Sequence, residues 1–135
     1  MTYGPDPNTA PYEDFDLDPA GNRRKYHART GEEPNYAVNL ANQYTAVELP
    51  GAVDPNYDAA GNMVTDHRGY QYDYDHDNKL TKVSKNDAPL MTFEYDALGR
   101  RIVWLDWSGG IQNLSGRLCV YSGQNVLQEF DYTMQ

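Results

Sequence analysis

The chain has 135 residues, enough for one domain and too few for two of ordinary size. Its formal net charge is −9, from 20 acidic and 11 basic residues, which argues against sequence-independent binding to nucleic acid and against binding to an anionic membrane surface. No segment approaches the about 20 apolar residues needed to cross a bilayer, and the first residues have neither the basic nor the apolar region of a signal peptide. We therefore expect no nucleic-acid partner and no membrane insertion.

The apolar residues predict a core built on tyrosine. Leu, Ile, Val and Phe together number only 23, a share at which a highly charged chain tends toward disorder. Twelve Tyr and two Trp offset this shortage, because aromatic side chains bury large areas and favour strands. Such a core is thin for an isolated domain. The single cysteine, Cys119, excludes an internal disulfide framework and any Cys-cluster zinc site.

A repeat runs along the chain after a polar N-terminal tail at residues 1–14. Each unit has an aromatic-type residue, then Asp or Asn, spacer residues, and Gly or Asn. The aromatic-type position recurs at steps of 23, 19, 17 and 21 residues, at Phe15, Val38, Tyr57, Tyr74 and Tyr95. A degenerate sixth unit begins at Tyr121. Steps near 20 are the length of a two-stranded unit with its turns.

Each unit predicts a β-hairpin with a loop of about three to five residues. The Asp accepts hydrogen bonds from backbone N–H groups two residues on, and the Gly or Asn supplies a position with φ above zero. The flanking residues alternate with a period of two, as in strands with one buried face. The alternating sets are Tyr70, Tyr72 and Tyr74; Met91, Phe93 and Tyr95; and Val126, Gln128 and Phe130.

Helix has little support, because no window with a helical apolar spacing is without Gly or Pro. Residues 28–35 are predicted to form a loop, 48–57 a linker between hairpins, and 108–110 a turn. The predicted fold class is all-β: tandem antiparallel β-hairpins that form a curved or spiralling sheet, with little or no helix.

The Tyr-Asp units resemble the YD repeats of RHS-repeat proteins. The resemblance extends from about Phe15 to Tyr132 and is closest in the segments 57–62 (YDAAGN), 74–83 (YDHDNKLTKV) and 93–101 (FEYDALGRR). One such motif is a weak signal, whereas four near-copies in order are a strong one. The resemblance implies a β-strand ribbon that spirals into a hollow shell. In bacterial polymorphic-toxin and Tc-toxin systems such shells enclose a C-terminal toxin or effector, and related repeats occur in teneurins.

This resemblance implies that residues 15–132 form one repeat domain of about five to six units, followed by a truncated C-terminal end at residues 133–135. Family members are much longer, and their shells end in a core motif with a self-cleaving aspartate site that this sequence lacks. We therefore expect a non-catalytic structural segment of a shell, and not an enzyme. The expected partners are neighbouring repeats or further copies of the chain at sheet edges, and an encapsulated toxin polypeptide. The implied location is secreted or at the cell surface.

Two aspartate triplets have the Asp-x-Asp-x-Asp opening of a calcium loop. They are Asp73, Asp75 and Asp77, and Asp14, Asp16 and Asp18. The full EF-hand loop needs Gly at position 6 and Glu at position 12, where the first triplet has Asn78 and Ser84 and the second has Pro19 and Lys25. The favoured interpretation is that these aspartates lie on the solvent face of a strand and begin a turn. No metal site is predicted.

The other reactive side chains form no catalytic or cofactor-binding pattern. His27, His67 and His76 have no i, i+4 pair and no Cys partner. Cys119 lies in a predicted strand, where a lone Cys is more often a small buried hydrophobe than a nucleophile. No pair among the 20 carboxylates stands out as the acid and base of a glycoside hydrolase. We therefore predict no catalytic residues and no cofactor.

An alternative function is an extracellular β-module that binds carbohydrate or protein through exposed Tyr and Trp. Trp104 and Trp107 are the candidates for stacking on a sugar, although packing in the core or across strands is the favoured interpretation for both. Burial of these two side chains would remove the strongest anchors of a sugar platform. Residues 113–115 (NLS) are a formal N-glycosylation acceptor.

Overall fold

A computed structural model gives the fold, and the structure describes residues 14–27 and 33–134. These residues form twelve strands and one short 3-10 helix, Ile111–Asn113, so the predicted all-β class is confirmed. The strands are β1 (Asp14–Leu17), β2 (Arg23–His27), β3 (Tyr36–Val38), β4 (Tyr44–Val47), β5 (Asn56–Tyr57), β6 (Met63–Thr65), β7 (Tyr70–Tyr74), β8 (Leu80–Lys85), β9 (Ala88–Tyr95), β10 (Arg101–Asp106), β11 (Ser115–Ser122) and β12 (Asn125–Thr133). No described helix is long and apolar enough to span a membrane.

The chain divides into two compact units. The first contains the described residues up to Asn56 together with Asp66–Arg68, and it carries two two-stranded sheets, β1–β2 and β3–β4. The second contains Tyr57–Thr65 and the described residues from Gly69 onward. There the strands β5 to β12 form an eight-stranded sheet in chain order. Each strand of that sheet is therefore hydrogen-bonded to its sequence neighbours, as tandem hairpins require.

The predicted tail and first loop fall largely outside the described residues. Residues 1–13 of the tail and residues 28–32 of the loop 28–35 are not among them, and Asp14 begins β1. The predicted linker 48–57 contains a turn, in which Ala52 donates a backbone hydrogen bond of 3.0 Å to Leu49, and it ends in the short strand β5. The predicted turn at 108–110 lies in the connection between β10 and β11.

The period-two alternation is confirmed in β7, where Tyr70, Tyr72 and Tyr74 are half-buried and the residues between them are exposed. It fails to predict burial in β12, all of whose residues are exposed. Phe130, for example, is 45% exposed. The reason is that β12 lies at the edge of the sheet and pairs only with β11.

One face of the eight-stranded sheet changes from polar to apolar along the strand order. Residues directly opposite each other in antiparallel strands share a face. Asp73 lies opposite Lys82 on this face, whereas Leu118 lies opposite Phe130 at its far end. The other face changes from apolar to polar along the same order, because Arg117 on that face pairs with carboxylates of β12. The sheet therefore has no single apolar face on which one continuous core could form.

The core of the described chain is correspondingly small. Val47 and Leu114 are its buried hydrophobic side chains, and none of the described side chains is completely enclosed. Within the second unit, the substantial contacts between described strands all join sheet neighbours, so none of its described strands forms a second layer on the sheet. The core is thin, as predicted, but its buried hydrophobic side chains are aliphatic, whereas Tyr70, Tyr72 and Tyr74 are only half-buried. Folding must then depend on hydrogen bonds and cross-strand pairs as well as on burial.

Candidate functional site

Five loops of the described chain share one hydrogen-bonded geometry. In each, the backbone N–H of an opening residue donates to the carbonyl of a closing residue four positions later, at 2.8–3.0 Å. The residue three positions after the opening residue has φ between 60° and 90°, and its N–H donates back to the opening carbonyl at 2.9–3.1 Å. The opening residues are Asp18, Asn39, Asp58, Asp75 and Asp96; the left-handed residues are Gly21, Asn42, Gly61, Asn78 and Gly99; the closing residues are Asn22, Gln43, Asn62, Lys79 and Arg100.

The opening side chain organises each loop. Its Oδ1 atom accepts two backbone N–H groups, from the residues two and four positions later, at 2.8–3.0 Å in all five loops. This is the turn chemistry that the sequence predicts for Asp followed by Gly or Asn. The prediction is therefore confirmed for the loops that begin at Asp58, Asp75 and Asp96. The weaker copy at Asn39 forms the same loop.

The first loop differs from the sequence prediction in its position. The aspartate that opens it is Asp18, not Asp16, so the opening residues are separated by 21, 19, 17 and 21 positions. The reason is that Gly21, the left-handed residue, comes three positions after Asp18 and five after Asp16. Phe15 instead stacks on Tyr26 across β1 and β2, with ring centroids 5.0 Å apart.

The second carboxylate oxygen of the opening aspartate binds the closing side chain. Asn22 donates to Asp18 at 2.9 Å and Asn62 donates to Asp58 at 2.9 Å. These side-chain hydrogen bonds, supported by the backbone donors, hold the pKa of Asp18 and of Asp58 below the ordinary value. The loops therefore favour the charged carboxylate.

The same contact in the last of the five loops involves an arginine. Arg100 donates from Nε to Asp96 at 2.7 Å and forms an ion pair with it through Nη2 at 2.5 Å. The side-chain hydrogen bond from Arg100 is the largest cause of the lowered pKa of Asp96. An amide and a guanidinium are interchangeable here because each offers more than one N–H.

The loop at Asn39 is the exception that fits the same chemistry. Asn39 cannot bind a donor through its second side-chain atom, because that atom is the amide nitrogen. Its Nδ2 donates to Oε1 of the closing residue Gln43 at 3.0 Å, so donor and acceptor exchange roles. The opening and closing side chains are thus matched in each of these four loops.

Within the second unit, tyrosine hydroxyls connect successive loops. Tyr74 donates to the carbonyl of Met63 at 3.0 Å, Tyr95 to that of Leu80 at 2.9 Å, and Tyr121 to that of Arg101 at 2.9 Å. Each acceptor directly follows the closing residue of the preceding loop. Burial is the main cause of the raised pKa of Tyr74, and the charge of Asp58 adds to it. The Tyr74 hydroxyl is therefore a structural donor that stays protonated.

The unit around Asn39 has Val38 where the others have an aromatic residue, and the structure compensates for it. Tyr44 lies directly opposite Val38 in the pairing of β3 with β4. Its hydroxyl accepts the backbone N–H of Arg23, the residue that follows the closing residue of the first loop, at 3.0 Å. The tyrosine link is kept, with its donor and acceptor exchanged.

Four of the six aspartates considered as calcium ligands bind groups of the protein itself. The Oδ1 atom of Asp75 accepts two backbone N–H groups, Asp77 pairs with Lys79 at 2.8 Å, and Asp73 pairs with Lys82 at 3.3 Å. Asp18 is equally engaged, and the side chain of Asp14 is not described. In the part of the chain that the structure describes, no group of three or more His, Cys, Asp or Glu side chains could hold a metal ion.

The described contacts of His67, His76 and Cys119 are with other residues. The side chain of His27 is not described, His67 accepts a hydrogen bond at its backbone carbonyl from Val53, and His76 is exposed beside Asp77. Cys119 lies half-buried in β11, directly opposite Glu129. Its position in a strand is as predicted.

A groove of about 350 Å³ lies over the polar face of β6, β7 and β8. Ser84 at its base is buried, and its hydroxyl donates a long hydrogen bond of 3.5 Å to Gln71. The lining contains no histidine or cysteine that would serve as a base or nucleophile. Its chemistry is that of a hydrated strand surface.

Both tryptophans are half-buried. The indole N–H of Trp107 donates to the hydroxyl of Thr92 at 3.0 Å, and Trp104 lies opposite Phe93 and Arg117 in the sheet. These contacts favour the packing role over an exposed sugar platform.

Asn113 of the formal glycosylation acceptor is exposed, and its side chain donates to the carbonyl of Gly109 at 3.1 Å.

Sequence analysis did not identify the short connections at the other ends of the hairpins. Asn86 and Asp87, with φ of 51° and 63°, form the two-residue turn between β8 and β9. Two successive residues with positive φ are typical of a type I′ hairpin turn, for which Asn and Asp are favoured.

The connection between β6 and β7 contains the buried Asp66, which accepts the backbone N–H of Arg68 at 2.9 Å and pairs with its guanidinium at 3.1 Å.

No protein-family model matches this sequence. No curated protein matches it either. Among solved structures, the chain is similar to a protein in the structure named "Crystal Structure of TcdB2-TccC3-Cdc42", with 14% identity, 90% of this chain covered and a TM-score of 0.40. The chain spans 9% of the length of that protein. A likeness this weak assigns the chain to no family and to no function.

Proposed function

We propose that the chain is a non-catalytic structural repeat segment, a stretch of the wall of an RHS/YD-type shell. The observation that carries this proposal is the recurrence of one loop geometry at five opening residues, with tyrosine hydroxyls that tie successive hairpins of the second unit together. Repeat architectures stack units that cannot bury their own apolar surface, so that each neighbour completes the next.

The distribution of buried surface supports a role as part of a larger wall. The described chain has few buried apolar side chains, and the strand β12 is exposed along its whole length. An exposed edge strand pairs readily with another strand. The proposed partners are therefore neighbouring repeats or further copies of this chain.

The proposal extends to what the wall does. The resemblance of the Tyr-Asp units to RHS repeats leads us to propose that the shell encloses or presents a toxin or effector polypeptide, and that it acts outside the producing cell or at its surface. A structural role also agrees with the chemistry of the loops, since their carboxylates bind backbone N–H groups and neighbouring side chains. Groups engaged in this way serve poorly as acids or bases.

The alternative, a carbohydrate- or protein-binding β-module, has less support. A sugar platform needs an exposed aromatic face, and both tryptophans are half-buried, with the Trp107 indole held by Thr92. No other contact among the described residues favours it.

Size-exclusion chromatography with light scattering tests the wall proposal directly. We expect the isolated chain to self-associate through β12, and Leu127→Lys to shift it toward monomer, because a charge on an edge strand opposes pairing. Leu98→Lys is the matched control: Leu98 lies in a loop and is 71% exposed, against 70% for Leu127. A stable monomeric parent chain, or equal effects of the two substitutions, would count against the proposal.

The genomic neighbourhood tests the shell and its cargo. We expect the same or an adjacent reading frame to continue the Tyr-Asp units and to lead to a toxin-like domain. Co-expression of that domain with and without the complete repeat region would then measure protection of the host. A locus without further repeats would contradict the shell but leave the loop geometry unaffected.

A further inference from the structure

The closing residue of one loop contacts the left-handed position of the next loop. Asn22 donates to Oδ1 of Asn42 at 2.5 Å, and Asn62 donates to Oδ1 of Asn78 at 2.8 Å. The paired residues are 20 and 16 positions apart in sequence. They form a line of side-chain contacts along the loop ends of the hairpins, distinct from the strand ladder.

These contacts fall into two classes. In the first, the amide class, the closing asparagine uses both N–H groups of its side chain. The Nδ2 atom of Asn62 donates to its own loop through Asp58 at 2.9 Å and to the next loop through Asn78 at 2.8 Å. Asn22 does the same with Asp18 and Asn42. The receiving position must be left-handed and must carry a side-chain acceptor, and asparagine combines these two properties better than most residues.

In the second class, a cation meets a glycine. The side chain of Lys79 occupies the space beside Gly99, where an added Cβ would lie 2.8 Å from the lysine Cε. Arg100 donates from Nη1 to the carbonyl of Gly123, which has φ of 60° in the turn between β11 and β12. At Gly99 the lysine fills the space that an added side chain would need, whereas an added Cβ at Gly123 would meet nothing within 4 Å, so Arg100 acts there through its hydrogen bond to the carbonyl.

Both cations also lie over the tyrosine of the loop they contact. The ammonium of Lys79 is 5.9 Å from the ring centroid of Tyr95, and the guanidinium of Arg100 is 4.7 Å from that of Tyr121. A cation over an aromatic face is attracted to it. The cation class therefore holds both the tyrosine and the left-handed residue of the next unit.

We propose that these two positions form a pairing code between successive hairpins: a closing asparagine selects a left-handed asparagine, and a closing lysine selects a left-handed glycine. The surface it defines is the loop end of each hairpin, and the partner it fits is another hairpin of the same kind with the complementary residue. The code fixes which unit stacks beside which and in what register. It does not depend on whether the assembled wall is a toxin shell.

A double-substitution cycle on the full chain tests the code. Lys79→Asn and Gly99→Asn each create a mismatch, whereas the double variant recreates the asparagine pair of Asn62 and Asn78. We expect each single substitution to lower the urea midpoint of unfolding, and the double variant to recover at least half of the summed loss. Asn42 and Asn78 already occupy the left-handed position, so the backbone tolerates asparagine there.

The matched control combines Lys79→Asn with Gly21→Asn. Gly21 is also left-handed, but an added Cβ there would meet nothing within 4 Å. Its effect should add to that of Lys79→Asn, because sites without shared partners are additive. Additive losses at Lys79 and Gly99 as well would overturn the code.

A second measurement depends on a single mild substitution. Asn78→Gly keeps the left-handed backbone and removes the acceptor, and glycine fills this position in three of the other described loops. In the side-chain amide spectrum of Asn62, we expect the proton directed at Asn78 to shift toward the value of a solvated amide while the proton on Asp58 stays in place. Asn78→Asp, which keeps an acceptor, should leave both protons unshifted. Unchanged protons in Asn78→Gly would contradict the asparagine class.

Discussion

The hydroxyl of Tyr95 donates a 2.9 Å hydrogen bond to the carbonyl of Leu80, the residue that follows the closing lysine of the preceding loop. Tyr74 and Tyr121 make the equivalent bond to the residue at the same position of their own preceding loops. The aromatic residue of each Tyr-Asp unit thus has two tasks: its ring packs between strands, and its hydroxyl reaches back one unit. A phenylalanine could perform only the first.

Tyr95→Phe should therefore lower stability without changing the fold. It removes one half-buried hydrogen bond and leaves the Leu80 carbonyl without this donor, a loss of about 1 kcal/mol. In a chain of this size that corresponds to a decrease of roughly 4 °C in the melting temperature. Circular dichroism during heating measures it. Tyr132→Phe is the control, because Tyr132 is 46% exposed on the edge strand; an equal effect of both substitutions would contradict the role given to the hydroxyl.

Asp58→Asn should disturb two loops rather than one. The new amide nitrogen would face the Nδ2 of Asn62, so the Asn62 side chain must rotate and give up its hydrogen bond to Asn78. We expect a decrease in melting temperature comparable to that of Tyr95→Phe.

The loop at Asn39 supplies the matched rescue for Asp58→Asn. Asn39 is paired with Gln43, whose carbonyl oxygen accepts from the asparagine. Asp58→Asn combined with Asn62→Gln should therefore restore the loop geometry and part of the lost stability. If the double variant is less stable than Asp58→Asn alone, the matching of opening and closing side chains is wrong.

The loops were predictable from sequence because their chemistry is local. An Asp with a Gly or Asn three residues later contains the acceptor and the left-handed position, and both lie within one segment of five residues. The repeat pattern places the opening residue of the first loop at Asp16, two residues too early, because Asp16 and Asp18 both follow an apolar or aromatic residue. Only the spacing to Gly21 separates them.

The contacts between loops were beyond sequence reasoning for a different reason. Whether Asn62 reaches Asn78 depends on how adjacent hairpins are staggered, and that stagger is set by the pairing of β6 with β7, in which Thr65 lies opposite Gln71. The exposure of β12 was missed because alternation identifies which residues share a face, but not whether another layer covers that face. β10 has apolar residues on both of its faces. Its sequence therefore does not show that each face of the sheet changes polarity along the strand order.

Gly21→Ala should destabilise the first loop through its backbone alone. Gly21 has φ of 86°, and an added Cβ would meet nothing within 4 Å, so the cost is that of a left-handed alanine, about 1–2 kcal/mol. Gly21→Asn should cost clearly less, since asparagine tolerates this conformation and occupies it at Asn42 and Asn78. Urea unfolding of the two variants measures the difference. Equal losses would indicate a steric origin that the open space around Gly21 does not provide.

Acid should unfold the chain through the carboxylates that open its loops. The folded state lowers the pKa of Asp18, Asp58 and Asp96 below the ordinary value of 3.8, so their contribution to stability is complete above that value. It is lost as the pH falls from 3.8 through the folded-state pKa values. The net charge of −9 at pH 7 has already reached zero near the isoelectric point of about 4.5, so below pH 3.8 the growing positive charge adds repulsion to this loss. Melting temperatures recorded against pH at high salt, where that repulsion is screened, should separate the two effects. We expect the melting temperature to decline below pH 3.8, and to decline less steeply in Asp96→Asn, because that variant has lost one of these three carboxylates. A decline of the same steepness in both proteins would show that other groups control acid unfolding.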